Sequence, residues 1–232
     1  MTPVTGVPAV PDAPAPMSAW KRLRVWLNML FVDHSIFRFF FNTRRLVAPG
    51  AYRSSHPMPY QLRRAKRAGV RSVLSLRGVE TSIGSNVLEW ETCNEQGLVL
   101  TNYPIGSRDA PGKDQLQVIA RLLAEMPKPL LIHCKSGADR AGLVSAIYLM
   151  LQEKQPLELA RRQLRFWPFG HIKQAKTGVL DHFFDCYQEH HLAHGTGFMD
   201  WVEHHYDKET VVKSFHSSWW ANKVVDWVLR RE

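Results

Sequence analysis

The spacing of apolar positions changes period several times between residues 46 and 152, and each change marks an element. Leu46 to Ser54 reads as a hairpin turning at Pro49-Gly50, because that dipeptide cannot continue a strand. Residues 59–68 carry a basic helical pattern closed by Gly69, and Val70 to Leu76 follows as a strand. Residues 85–96 predict a helix stopped by Gly97, followed by a strand from Leu98 to Ile105. A helix over 113–126 buries a stripe of Leu116, Ile119, Ala120, Leu122 and Leu123 at helical spacing. A strand at 129–133 and an apolar helix over 142–152 complete the alternation. Strands alternating with helices imply an α/β fold, with a central, mostly parallel sheet flanked by helices. Beyond Pro156 the pattern is helical throughout: 156–166, 177–194, 198–206 and 209–230. No internal repeat is visible.

Both ends differ from this middle. Residues 1–17 hold five prolines with almost no charge, which predicts a disordered leader. Residues 18–44 form an amphipathic helical segment, apolar from Trp20 to Val32 and again from Ile36 to Phe41, interrupted by Asp33, His34 and Arg38. Those interruptions, and the lack of a small-residue cleavage site, argue against a signal peptide. Such a segment either packs on the domain or lies in a membrane surface. The expected organisation is a domain over 45–194 and a helical extension over 195–232. That extension carries Phe215, Trp219, Trp220, Val224, Val225, Trp227 and Val228, too apolar for a solvated linker. It docks on the domain or meets a partner or membrane, so 20–41 and 211–230 are the two candidate membrane-contact stretches.

Composition narrows the class without naming a function. The chain has 232 residues, 45% hydrophobic and 22% charged, with no uncharged apolar run able to span a bilayer. Three scattered cysteines, Cys93, Cys134 and Cys186, neither build a disulfide framework nor offer a zinc motif. A reducing, cytoplasmic setting is the simplest expectation. The net charge of +9 points to an anionic partner. No nucleic-acid-binding module is recognisable, which leaves a phosphorylated protein or lipid as the expected partner.

The candidate chemistry lies in residues 133–142, His-Cys-Lys-Ser-Gly-Ala-Asp-Arg-Ala-Gly. A buried strand runs into a tight loop that opens directly into a helix, so backbone N–H groups and a helix N-terminus converge on one point. A thiol at the floor of such a cradle is pushed toward thiolate. Arg140 adds a planar fork matched to two phosphate oxygens, and Gly137 permits close approach of an anion. Lys135, Ser136, Gly137, Ala138, Asp139 and Arg140 are therefore the candidate phosphate-binding residues, and Cys134 the candidate nucleophile.

His133-Cys134-x5-Arg140 in this frame resembles the signature loop of the cysteine-dependent protein tyrosine phosphatases, specifically the small bacterial dual-specificity-like branch. Val47-x-x-Gly50-x-Tyr52-Arg53-Ser54 and Leu74-x-Leu76-Arg77-Gly78 are also similar to bacterial members. The resemblance covers about residues 45–190. It implies hydrolysis of phosphate monoesters through a phosphocysteine, without metal or organic cofactor. Protein phosphotyrosine or dual-specificity substrates are implied first, with phosphoinositides or other lipid phosphates as the alternative. It also implies a general acid on a loop after a strand. Asp109, in Ser107-Arg108-Asp109-Ala110-Pro111, suits that place, with Asp139 as the rival. One departure is Ala141, where the family usually carries Ser or Thr to help the thiolate leave; this implies slow turnover of the phospho-enzyme unless Ser136 or Ser145 compensates. Arg53, Arg77 and His171 are further candidates for binding substrate or supporting the loop. His190, His191, His194, His204 and His205 lack convincing ligand spacing and read as a polar helix face. The competing functions are a rhodanese-like sulfurtransferase and a non-catalytic phosphate-binding adaptor.

Overall fold

Five four-residue strands form the sheet: β1 (Arg45–Ala48), β2 (Ala51–Ser54), β3 (Ser72–Ser75), β4 (Val99–Asn102) and β5 (Leu130–His133). The computed structural model describes residues 17–33, 35, 38, 41, 43–80, 82–173 and 176–216. The strand order is β1-β2-β5-β3-β4; β1 runs antiparallel to β2, and every other pairing is parallel. The mostly parallel α/β fold expected from the alternation is therefore the one formed. Pro49 and Gly50 make the turn of the β1–β2 hairpin.

β5 is central, and all four of its residues, Leu130 to His133, are buried. Its register places His133 beside Ser54 of β2 on one side and Ser75 of β3 on the other. In open parallel sheets the carboxyl ends of adjacent strands frame a ligand crevice. Here that end leads straight into Cys134.

Helices cover the sheet. α2 (Pro59–Arg67) packs on α3 (Gly84–Glu95), and Leu62, Ala65 and Cys93 join Val70, Val73, Leu98 and Leu131 in one core cluster. α4 (Lys113–Glu125) buries Leu116, Ile119, Leu122 and Leu123, while Ala120 is only partly covered. α5 (Asp139–Leu151) packs on β2 and β5, and everything from Ala141 to Leu149 is buried. It begins three residues before the expected 142, so Arg140 and Ala141 lie in its first turn. The apolar run after Pro156 is broken more than the pattern implied: α6 (Leu157–Ala160), a 3-10 turn Arg161–Gln163, and α7 (Phe166–Phe169), itself kinked at Trp167.

The amphipathic segment forms α1 (Ala19–Leu27) and a π turn, Asn28–Val32. Val25, Trp26, Met29 and Leu30 pack against Met58 and Leu88 of the domain, and Arg22 pairs with Glu91. Trp20, Leu23, Leu27 and Phe31 remain on the outside, Trp20 at 70% exposure. Both sides of α1 are thus apolar, and one is covered. Ile36, Phe37, Phe39 and Phe40, the leader 1–16 and the tail from 217, including Trp219 to Val228, lie outside the described residues.

The chain divides into two compact units, residues 1–105 with 118–171, and 106–117 with 172–232. The second contains α8 (Val179–His194), α9 (Phe198–His204) and a helical stretch at 208–216. Its interior is aromatic: Phe183 meets Phe184, Phe198, Trp201 and Tyr206 at ring-centroid distances of 5.1–6.1 Å. Tyr206 donates to the Pro111 carbonyl at 2.6 Å, and Gln117 donates to Glu203 at 2.5 Å. These ties gather the 106–117 loop with the C-terminal helices, so the division does not follow the boundary expected at 194. Phe215 sits against His182 of α8 with centroids 5.9 Å apart. Among the described residues, no helix is long and apolar enough to cross a membrane.

Candidate active site

Cys134 is the first residue after β5 and is buried, at 1% exposure. The chain then reverses over residues 135–138 and enters α5 with Ala138 as its cap. Gly137 adopts φ +74°, a left-handed conformation, and its N–H donates to the Cys134 Sγ at 3.2 Å. The expected cradle is formed: sulfur at the floor, an amide aimed at it, and a helix N-terminus behind. All three described cysteines are free.

Arg53 holds this loop in shape. It is 1% exposed, and its Nη2 donates to the Gly137 and Ala138 carbonyls at 2.5 and 2.9 Å. Its Nη1 donates to the backbone and side-chain oxygens of Gln163 at 2.6 and 2.8 Å. The Phe169 ring lies under its guanidinium at 3.9 Å. Burial brings its pKa down to about 10, opposed by its neighbours Cys134 and Asp139. The guanidinium holds the Gly137 and Ala138 carbonyls on the side of the loop away from the sulfur, while the Gly137 N–H points at it. Arg53 is thus a support of the loop. Arg140 donates from Nη1 to the Leu76 carbonyl at 2.9 Å, which ties α5 to the end of β3. His171, also buried, donates from Nδ1 to Asp139 Oδ1 at 2.7 Å and fixes that carboxylate at the start of α5.

Beneath the loop lies a buried polar chain that the sequence did not reveal. His133 Nε2 and Glu89 Oε1 approach to 2.6 Å, though neither atom makes a well-aligned hydrogen bond. His56 meets the His133 ring edge-on at 4.8 Å. Its Nδ1 accepts from Arg77 Nη1 at 3.0 Å, and its Nε2 faces the Ser85 carbonyl at 3.1 Å, an arrangement that specifies the neutral Nε2–H tautomer. Burial lowers its pKa to about 3, with the Glu89 charge opposing. Glu89 is held below the usual carboxylate range despite complete burial, which acts upward; His133 and His56 supply the downward pull. His56, Glu89 and His133 are the one grouping of metal-ligand type among the described residues. Spacing could not expose it, since the three residues come from a loop, a helix and a strand.

The chain continues into the N-terminal segment. Arg77 forks onto both Asp33 oxygens at 2.8 and 2.9 Å, Arg38 reaches Oδ2 at 2.6 Å, and Lys135 lies 3.2 Å from Oδ1. Burial pushes the Asp33 carboxyl up, but hydrogen bonds from Arg77, Ser85 and Arg38 outweigh it and hold it well below the usual range. In the sequence Asp33 and Arg38 were mere interruptions of an apolar run. They are the polar anchor joining that segment to the Cys134 loop, and Arg38 lies close enough to couple electrostatically to Cys134.

Of the remaining candidates, Lys135 and Ser136 are exposed, and the Ser136 hydroxyl accepts from the Ala138 N–H at 3.3 Å. Ala141 is fully buried; Ser145, one turn on, is also buried, with its hydroxyl lacking a hydrogen-bond partner among the described residues. Asp109 belongs to the second unit, half-exposed and 2.5 Å from Lys208. In that unit the His190 ring stacks on His194 at 4.3 Å and meets His205 at 4.4 Å.

Residues 47–154 match the Tc-R-P family model, described as a polymorphic toxin system DSP-PTPase phosphatase. A search of the curated proteins finds no match. Among solved structures, a mutant form of Tk-PTP is 24% identical, covering 63% of this chain and 97% of its own, with a TM-score of 0.50. TpbA of P. aeruginosa is 20% identical over 67% of this chain and 92% of its own, also at 0.50. A substituted TpbA solved in complex with pTyr aligns equally well, at 20% identity and 0.50. These likenesses show the fold.

Proposed function

We propose that this chain, whose residues 47–154 match a dual-specificity-like phosphatase model of the cysteine-dependent protein tyrosine phosphatase superfamily, hydrolyses phosphotyrosine and related phosphate monoesters of proteins through a phosphocysteine. The observation that carries this reading is the Gly137 amide aimed at the Cys134 sulfur at 3.2 Å, in a loop whose carbonyls are drawn away by Arg53. A nucleophile with a loop N–H aimed at it, at the N-terminus of a helix, suits a phosphoryl group whose equatorial oxygens gain charge as the P–O bond breaks. Cys134 attacks phosphorus, Arg140 and the loop amides hold the oxygens, and the leaving oxygen takes a proton. Water then attacks phosphorus, and the phosphocysteine S–P bond breaks to regenerate the thiolate and release phosphate.

Asp109 is assigned as the acid from its place on the loop between β4 and α4 and its half-exposed carboxylate. Asp139 is the weaker choice because a buried His171 holds it at 2.7 Å, whereas the Lys208 that reaches Asp109 is an exposed, movable side chain. The Lys135–Asp33 pair favours a phosphoprotein over a polyphosphorylated lipid, since it neutralises the cation that follows the nucleophile in the chain. The outer stripe of α1 and the following π turn, Trp20, Leu23, Leu27 and Phe31 beside Lys21 and Arg24, suits peripheral contact with an anionic membrane.

Phosphate release from p-nitrophenyl phosphate, phosphotyrosine and phosphoserine peptides and phosphoinositide vesicles tests the reading. Cys134→Ser should abolish turnover. Asp109→Asn should cost about 100-fold or more in kcat on peptides, within the range for general acids, and Asp139→Asn far less. Phosphoinositide hydrolysis exceeding that of every peptide would overturn the substrate assignment. Thiosulfate-dependent thiocyanate formation without phosphate release would overturn the reaction.

A further inference from the structure

A cavity of about 280 Å³, several times the room of one water, opens beside the strand wall of the catalytic loop. Thr43, Arg44, Ser54, Gln61 and Arg64 are among its lining, and no acidic residue is. Two polar atoms of these lining residues are orphaned among the described residues: Arg44 Nη1 and Ser54 Oγ are both buried there with no hydrogen-bond partner. Ser54 is only 4% exposed, so water does not easily make good its loss. A buried polar group left unpaired costs about 1–3 kcal/mol, and more when charged. Native structures rarely leave two such groups in the wall of one cavity without a purpose. The Arg44 guanidinium rests on the Tyr52 ring at 4.8 Å, which fixes its plane. Gln61 Oε1 accepts from the Met58 N–H at 2.9 Å, which leaves the amide NH2 as the end able to donate. Two guanidinium groups, two hydroxyls and an amide NH2, with no carboxylate, make a donor-rich surface for an oxyanion.

From this we infer a second oxyanion site, formed by Arg44, Arg64, Ser54 and Thr43, that takes a phosphate-type group. It adjoins the catalytic loop through a shared wall. Ser54 lines the cavity, while the Ser54 carbonyl and the Ser55 nitrogen stand against Gly137, and the His56 N–H donates to the Lys135 carbonyl at 3.2 Å. An anion bound there is either a second phosphoryl group of the same substrate or free phosphate. The site does not depend on the proposed phosphatase reaction.

The binding test uses the full chain carrying Cys134→Ser, labelled with ¹⁵N and titrated with inorganic phosphate. The expected result is a saturable shift of the Arg44 side-chain and Ser54 amide resonances, distinct from that of residues 135–140. The Ser54 shift should disappear when Arg44→Gln and Arg64→Gln are added. Shifts confined to residues 135–140, or unaltered by the double substitution, would overturn the site. The kinetic test compares a phosphotyrosine peptide with one carrying a second phosphorylated residue nearby. A KM at least fivefold lower for the second, lost in Arg44→Gln/Arg64→Gln, assigns the site to substrate; equal KM values alongside the resonance shift assign it to free phosphate. The double variant should leave kcat/KM for p-nitrophenyl phosphate unchanged, and that control also reports intact folding. If the wild type hydrolyses no phosphate ester, the reaction assignment fails while the titration still decides the site.

Discussion

Replacing Gly137 by alanine separates the cradle's shape from its chemistry. Gly137 sits at φ +74°, and a methyl there would lie 2.5 Å from the Ser55 nitrogen, 2.6 Å from the Ser54 carbonyl carbon and 2.7 Å from its oxygen. All three are main-chain atoms at the end of β2, which is paired to β5 and cannot swing aside as a side chain would. The left-handed conformation alone costs an alanine roughly 1–2 kcal/mol. Forcing the extra carbon into packed surroundings adds typically about 1–3 kcal/mol. The loop can relieve the overlap only by moving away from Ser54, which withdraws the Gly137 N–H from the sulfur. A misplacement of about 1 Å is worth on the order of 100-fold in rate. Gly69→Ala is the control: it has φ +92°, but a methyl there meets nothing within 4 Å, so it carries the conformational strain without the collision. Urea unfolding should show Gly137→Ala destabilised by about 2–5 kcal/mol and Gly69→Ala by about 1–2 kcal/mol. In the p-nitrophenyl phosphate assay only Gly137→Ala should lose about 100-fold in kcat/KM. A Gly137→Ala enzyme within threefold of wild type would refute this account of the cradle.

Other perturbations probe the surroundings. His56, whose pKa falls from about 6.5 in an unfolded chain to about 3 in the fold, binds its proton more readily when unfolded. Its contribution is present above about pH 6.5 and lost as pH falls toward 3, with a slope of at most about 1.4 kcal/mol per pH unit; urea midpoints across that range should show it, and His56→Gln should flatten the dependence. Asp33→Asn strands Arg38 and Arg77, both under 8% exposed, and should cost about 3–5 kcal/mol by chemical denaturation; an unchanged midpoint would mean the cluster contributes nothing. Rapid-quench measurement should find a burst of leaving group ahead of slow turnover, because Ala141 offers no hydroxyl to the departing thiolate; Ala141→Ser should shorten the lag in phosphate release, and a burst unaffected by it would sink that reading. Sedimentation with vesicles containing phosphatidylserine should capture the full chain, and Leu23→Glu/Leu27→Glu should release it while sparing p-nitrophenyl phosphate hydrolysis; capture by neutral vesicles alone would count against it.

How much of this was legible beforehand depended on how local each cause is. The strand, the loop and its helix were readable because an apolar run, a glycine and a second apolar run are contiguous. One stretch of ten residues therefore specified the Cys134 cradle. Residues that act across the sheet were legible only as types. Arg53 was noticed as a candidate, but its role depends on Gly137, Gln163 and Phe169, separated from it by 84 to 116 positions and brought together by the β2–β5 register. Glu89 and His56 left no signal, because a buried polar cluster has no periodicity and each residue alone looks like a surface polar group. Asp33 and Arg38 were misjudged for the opposite reason: hydropathy counted them as breaks in an amphipathic helix, whereas the break is where the segment turns inward. Their side chains answer Arg77, which lies inside the family-matched region, while they precede it at 47. A matched domain boundary is therefore not a boundary of the electrostatics. Removing residues before 47 would leave Arg77 under 8% exposed and facing no carboxylate at Asp33, so the N-terminal segment has to be kept in any variant meant to report on the catalytic loop.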